Sequence, residues 1–190
     1  AFTRGLARPS FGSTIALRRA VLDEIGGLAP LADHLADDYE LGRAVIAAGH
    51  SLAMPPLVVR HACAEAGAAA LFAHELRWAR TIRTVDPAGH VGSGVTHTWA
   101  LALVALALLG PDFWVFAMLA LALLARYTLK LRIDGMLGES AFAAWLLPVR
   151  DVISFGVYLA SLAGKTVAWR GAKLTVTPGG KMSDSTRSNL

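Results

Sequence analysis

Cysteine is all but missing from this sequence. Cys63 stands alone among 190 residues, which excludes an internal disulfide framework and fits a reducing compartment. Also missing are Cys and His at zinc-type spacing, a glycine-rich phosphate loop, a Ser-His-Asp signal and any internal repeat. Zinc-finger, P-loop and serine-hydrolase chemistry therefore have no foothold here. Charge is scarce as well: 17% of residues are charged and 55% are apolar, more apolar than a soluble domain of this size usually is. The scarcity is local, because Asp112 is the only charged side chain in the 28 residues from Thr98 to Ala125, whereas Arg, Asp, Glu and His are frequent up to His97. The chain is two-part, and its second part is membrane-like. The net charge of +4 is modest and suits acidic lipid head groups, phosphate-bearing ligands or nucleic acid. The opening AFTRGLARPSFGS has neither an initiator Met nor a charged-then-apolar leader, so the sequence reads as starting inside a domain.

Along the polar part, Phe11 to Leu17 has a β-like mixture of small and branched residues, Arg18 to Ile25 predicts a short helix, and Gly26-Gly27 stops it. In LADDYELGRAVIAAGH, Asp37 followed by Glu40 is a capping-box pattern that makes Asp37 the N-cap. Leu41, Val45 and Ile46 then share one helical face, and Gly49 terminates it. HSLAMPPLVVRHA reads as a strand broken by Pro55-Pro56. From about Gly67 to Val85, Leu71, Trp78, Ile82 and Val85 fall in one stripe at 100° per residue, with Arg77, Arg80 and Arg83 fanned beside it. Such a helix can lie along a bilayer with its arginines at head-group level.

The membrane part is expected to begin at Val95. Gly110-Pro111-Asp112 is turn chemistry, which favours a hairpin of short helices over about 95–110 and 112–130 with Asp112 in water. A third apolar segment, about 141–163, carries Pro148, Arg150 and Asp151, and is expected to double back or lie in the interface, with Arg150 and Asp151 neutralised in a protein-lined kink. Basic residues flank the hairpin (Arg77, Arg80 and Arg83 before it, Arg126, Lys130 and Arg132 after it) and recur at Lys165, Arg170, Lys173 and Lys181. Positive-inside logic places both hairpin ends and the tail in the cytoplasm, and Asp112 on the opposite side. The tail itself predicts a short hairpin about Pro178-Gly179-Gly180 and then a disordered end.

Two groups of residues could carry chemistry. Inverting sugar transfer needs a carboxylate that takes the proton from an attacking hydroxyl, and Asp38, in the first helical turn behind Asp37, suits that task. Both aspartates could equally just complement the helix dipole. Arginine forks bind phosphate oxygens, so Arg77 could face a departing diphosphate, although a basic interfacial helix touching anionic lipid explains the same pattern. Trp78 could be an interface anchor, and His61 at a strand end is a weak candidate metal ligand.

In order, GSTIALRRAVLDEIGGL, ADDYELG, HELRW, apolar helices and WRGAKLTVTPGGKM resemble the C-terminal half of the ceramide glucosyltransferase family, over about Gly12 to Met182. The branch that glycosylates a hopanoid polyol in bacteria looks closest. The resemblance implies the C-terminal α/β part of a GT-A type glycosyltransferase domain followed by membrane helices, predominantly helical here. By its implied organisation, 1–66 closes the catalytic domain, 67–94 is the interface helix and linker, 95–164 is the membrane region and 165–190 is the tail. It places the catalytic base on Asp38, with Asp37 beside it, and donor and acceptor contacts on Arg77 and Trp78. His74 stands where the family's motif has Gln or Arg. It further implies a UDP-sugar donor, a membrane lipid acceptor, the cytoplasmic face of a bacterial inner membrane and no nucleic acid. A divalent cation, Mg or Mn, would be held by an Asp-x-Asp motif that these residues lack, so the chain is expected to be a fragment, inactive alone. Rival readings are a non-catalytic membrane anchor or assembly subunit, and a transporter fragment with Arg150 and Asp151 lining a path.

Overall fold

The computed structural model describes residues 14–53, 65–140 and 142–164, and the backbone of strands β1 (Thr166–Trp169), β2 (Ala172–Val176) and β3 (Met182–Asp184). Contacts divide the chain into two compact units, Ala1–Leu71 with Lys165–Leu190, and Phe72–Gly164. The described residues are predominantly helical. Thr14 to Leu17, expected as a strand, forms no ladder, and the strand expected about Pro55-Pro56 and the candidate His61 lie outside the described residues. The described strands instead make one antiparallel sheet in the order β1-β2-β3, so the α/β layering is not displayed. Around the expected tail hairpin, β2 pairs with β3 through Val176 and Met182, and β1 adds a further strand in register Val167 to Leu174.

In the first unit, α1 (Arg19–Glu24) and α2 (Asp37–Ala47) are joined through a 3-10 turn at Ala29–Leu31. Leu41 and Val45, four residues apart, stack on one face of α2 and bury against Leu31, with Val21, Ile25 and Leu52 packed around them. Each such side chain contributes about 1.5–3 kcal/mol on leaving water. His50 Nε2 meets Glu24 Oε2 at 2.8 Å, tying the residue after α2 back to α1.

The second unit holds most of α3 (Ala68–Val85), then α4 (Pro87–Gly92), α5 (Thr98–Leu109), α6 (Phe113–Leu137) and α7 (Leu147–Leu162). Asp86 starts the next helix: its side chain accepts the Gly89 amide at 2.9 Å, with Pro87 at the first helical position. Gly110 at φ 78 closes α5, and Asp112 opens α6 by accepting the Trp114 amide at 2.9 Å. α6 runs seven residues past the expected end near 130, to a left-handed Gly138. Three of its charged residues, Arg126, Lys130 and Asp134, are paired. Buried Lys130 reaches Asp134 one turn on, donates to Ser140 Oγ at 2.9 Å, and sits 4.7 Å from the Phe142 ring centroid.

α7 is the helix that the others of this unit meet. α5 and α6 pack on it. Its Asp151, 6% exposed, takes a two-pronged contact from Arg126 of α6, with Nε at 2.6 Å from Oδ2. Its Arg150 forks onto Glu75 of α3 at 2.6 and 2.9 Å. Arg150 and Asp151 are thus each neutralised within the protein, by separate partners: adjacent residues project 100° apart on a helix, and each meets a partner on a different neighbour. Near the other end, Ser161 donates to the Tyr158 carbonyl at 2.6 Å, so buried His90 of α4 must donate its Nε2 hydrogen to Ser161 Oγ at 2.8 Å.

Two helical segments are long and apolar enough to cross a membrane, Phe113–Leu137 and Ala144–Leu162. α5 is not, since its 12 residues span about 18 Å against about 30 Å of hydrocarbon. It joins Pro87–Thr96 through a 68° bend.

Candidate functional site

α2 begins at Asp37, one residue earlier than expected, so Asp37 and Asp38 hold its first two positions. Ala36 occupies the N-cap and offers no side-chain bond, so the capping-box reading of Asp37 does not hold; Glu40 pairs instead with Arg43 at 2.9 Å. Each aspartate serves the amide that follows it. Asp37 Oδ1 accepts from Asp38 N at 2.9 Å, and Asp38 Oδ1 from Tyr39 N at 2.8 Å. These bonds satisfy donors that a helix start leaves without intrahelical partners, and they fix how both carboxylates are turned. Asp37 is exposed and Asp38 partly so. Both line an open concavity of about 340 Å³ whose other walls are Ile15, Leu28, Leu31, Ala32 and Leu41.

His74, Arg77 and Trp78 share α3. Trp78 is 54% exposed, and the His74 ring leans on it with centroids 5.1 Å apart and planes tilted by 56°. Arg77 is partly buried, and burial lowers its pKa from the ordinary arginine value without threatening its charge at neutral pH. A partly dehydrated guanidinium attracts an anion more strongly than one in water. Asp37 and Asp38 belong to the first unit and these three residues to the second, so the structure brings together each group and leaves the two groups in separate units.

The other two arginines of α3 lie near the end of α7. Arg83 donates to the carbonyls of Leu162 and Gly164, which lie at and just past the end of α7, a helix end that attracts cations. Arg80 lies over Gly164, where an added Cβ would sit 3.1 Å from its Nη2. Arg83 turns that way because the last carbonyls of a helix have no intrahelical donor. Among the described residues no group of three or more His, Cys, Asp or Glu is arranged to hold a metal.

A family model described as glycosyl transferase family 21 matches residues 5–182, most of the chain. The chain belongs to glycosyl transferase family 21. No curated protein and no solved structure matches it. A glycosyl transferase of this family needs a sugar donor and an acceptor, and two helices able to cross a bilayer suit membrane association. Three ties in this glycosyl transferase escaped sequence reasoning: Arg126 to Asp151, Arg150 to Glu75, and His90 to Ser161. For the first, the signal was present. Two opposite charges in neighbouring apolar helices pair by default, because either alone in hydrocarbon is costly.

Proposed function

We propose that this chain carries the acceptor side of a membrane-bound inverting glycosyltransferase, which moves N-acetylglucosamine or glucose from a UDP-sugar to the hydroxyl of a hopanoid polyol or ceramide-like lipid. The observation that carries the reading is the concavity in which the Asp37 and Asp38 carboxylates share a wall with Ile15, Leu28, Leu31 and Leu41. An acceptor with an apolar body and a polar end finds both surfaces there. Asp38 is the base that takes the hydroxyl proton, and Asp37 holds the neighbouring polar groups. Arg77 meets the charge that develops on the departing diphosphate, with Trp78 and His74 forming a platform beside it. The Mg or Mn ion expected in the complete enzyme has its ligands outside the described residues.

The same reading revises the membrane path. We read the tail, which belongs to the same compact unit as α1 and α2, on the same face of the bilayer as those helices, which makes the crossings between residues 71 and 165 even in number. α6 and α7 supply two crossings, and short α5 with its bent approach re-enters. Asp112 then lies on the catalytic face, cytoplasmic in a bacterial inner membrane, and not opposite it.

Asp38→Asn in the complete protein tests the chemistry. The amide keeps the shape and removes the proton acceptor, so sugar transfer falls about a hundredfold or more with lipid binding retained. Transfer within a few-fold of the original would leave Asp38 a helix-start residue and favour the membrane-anchor reading.

A further inference from the structure

α3 carries the Arg77-Trp78 pair, yet none of its residues is buried. Leu71, Phe72, Trp78 and Ile82 are exposed, and Leu76, Ala79 and Val85 are only half-buried, so side-chain packing holds the rotation of this helix about its own axis loosely. Directional contacts from α7 hold it more firmly. Arg150 lays a two-pronged fork on Glu75, and Arg83 reaches the carbonyls beyond α7 from the other end of α3. Glu75 and Arg83 are eight residues apart, about 12 Å along the axis, and two anchors at different heights fix both the roll and the tilt of a rod.

We propose that Arg150 is a positioning residue: by gripping Glu75 it sets the roll of α3, and with it the direction in which Arg77 and Trp78 face the sugar nucleotide. The inference rests on the donor-binding role proposed for Arg77. Arg150 is itself held, since its Nη1 also donates to Ser154 Oγ at 3.1 Å and the adjacent Asp151 is clasped by Arg126. The Arg150 side chain is 47% exposed and that of Glu75 22%, and ion pairs of that kind add little to stability. What a bidentate fork supplies is direction. Glu75 precedes Trp78 by three residues on the same helix, so a change of roll at Glu75 is felt in full at the pair.

The test uses the complete protein in membranes, with UDP-N-acetylglucosamine and UDP-glucose as donors. Arg150→Gln is expected to lower kcat/KM for the donor about tenfold per folded molecule while the thermal midpoint stays put. Arg150→Lys, which keeps the charge but not the fork, falls between. Exchanging the charges, Glu75→Arg with Arg150→Glu, restores kcat/KM to within about threefold. Donor kinetics unchanged in Arg150→Gln, while Arg77→Ala abolishes transfer, would overturn the positioning role and spare the functional reading. So would a loss that follows only the amount of folded protein. Donor kinetics unchanged in Arg77→Ala would instead overturn the reading beneath it. Should the exchanged pair misfold, the ranking of Gln, Lys and Arg at position 150 still decides.

Discussion

The first unit keeps its described core aliphatic: Leu31, Leu41 and Val45 are inside, and the ion pairs Arg19 with Asp23 and Arg43 with Glu40 are at the surface. The second unit adds polar groups to its interior. Phe113, Trp114, Leu121, Leu124 and Leu131 lie outside, while Asp151, Lys130, His90 and Ser161 are buried alongside small and aliphatic residues such as Ala100, Ala102, Val115 and Leu147. The difference follows the solvent each unit is read to meet. In water, apolar burial drives folding and surface ion pairs contribute little. Between helices in lipid the hydrophobic drive is absent, and hydrogen bonds and charge pairs specify how helices meet.

Breaking each unit at its own kind of contact sharpens the contrast. Arg126→Ala strands the Asp151 carboxylate in a buried place, so the detergent-solubilised protein should lose about 3–5 kcal/mol, read as an early thermal transition. Replacing both Arg126 and Asp151 by leucine should cost far less, and equal losses would mean the pair is not a tie. In the first unit Leu41→Ala removes an aliphatic core residue and should cost about 2–5 kcal/mol in denaturant melts. Its loss should be confined to that unit, so proteolysis of the second unit's loops stays unchanged. The smallest expected effect is that of Asp112→Cys. Asp112 contributes one cap, about 1 kcal/mol, and its value lies in a label: a membrane-impermeant maleimide should reach this cysteine from the cytoplasmic side. Labelling from the opposite side would restore a crossing to α5 and with it the α5-α6 hairpin.

Sequence periodicity reached the parts of the fold that repeat locally. The Leu41 and Val45 spacing located α2, and the Leu71, Trp78 and Ile82 stripe located α3 to within a residue. It reached less where a local signal had two meanings. Arg126, Lys130, Arg132 and Asp134 look like the end of a membrane helix, yet Lys130 and Asp134 pair within one turn and the helix continues to Leu137. Contacts between distant segments were out of reach: Arg126 and Asp151 are 25 residues apart, Glu75 and Arg150 are 75 apart. At the candidate site, the residue types of Asp37, Asp38, His74, Arg77 and Trp78 were readable, and their neighbours were not. That Ile15 and Leu28 share a concavity with two carboxylates depends on how the segment between α1 and α2 turns, which no spacing rule encodes.

The sharing of one unit by the first 71 residues and the last 26 sets an order of events during synthesis. α1 and α2 leave the ribosome before β1, β2 and β3, and both long apolar helices are made in between. The first unit can therefore close only after the whole of the second has been synthesised, so its folding waits on the helices that interrupt it.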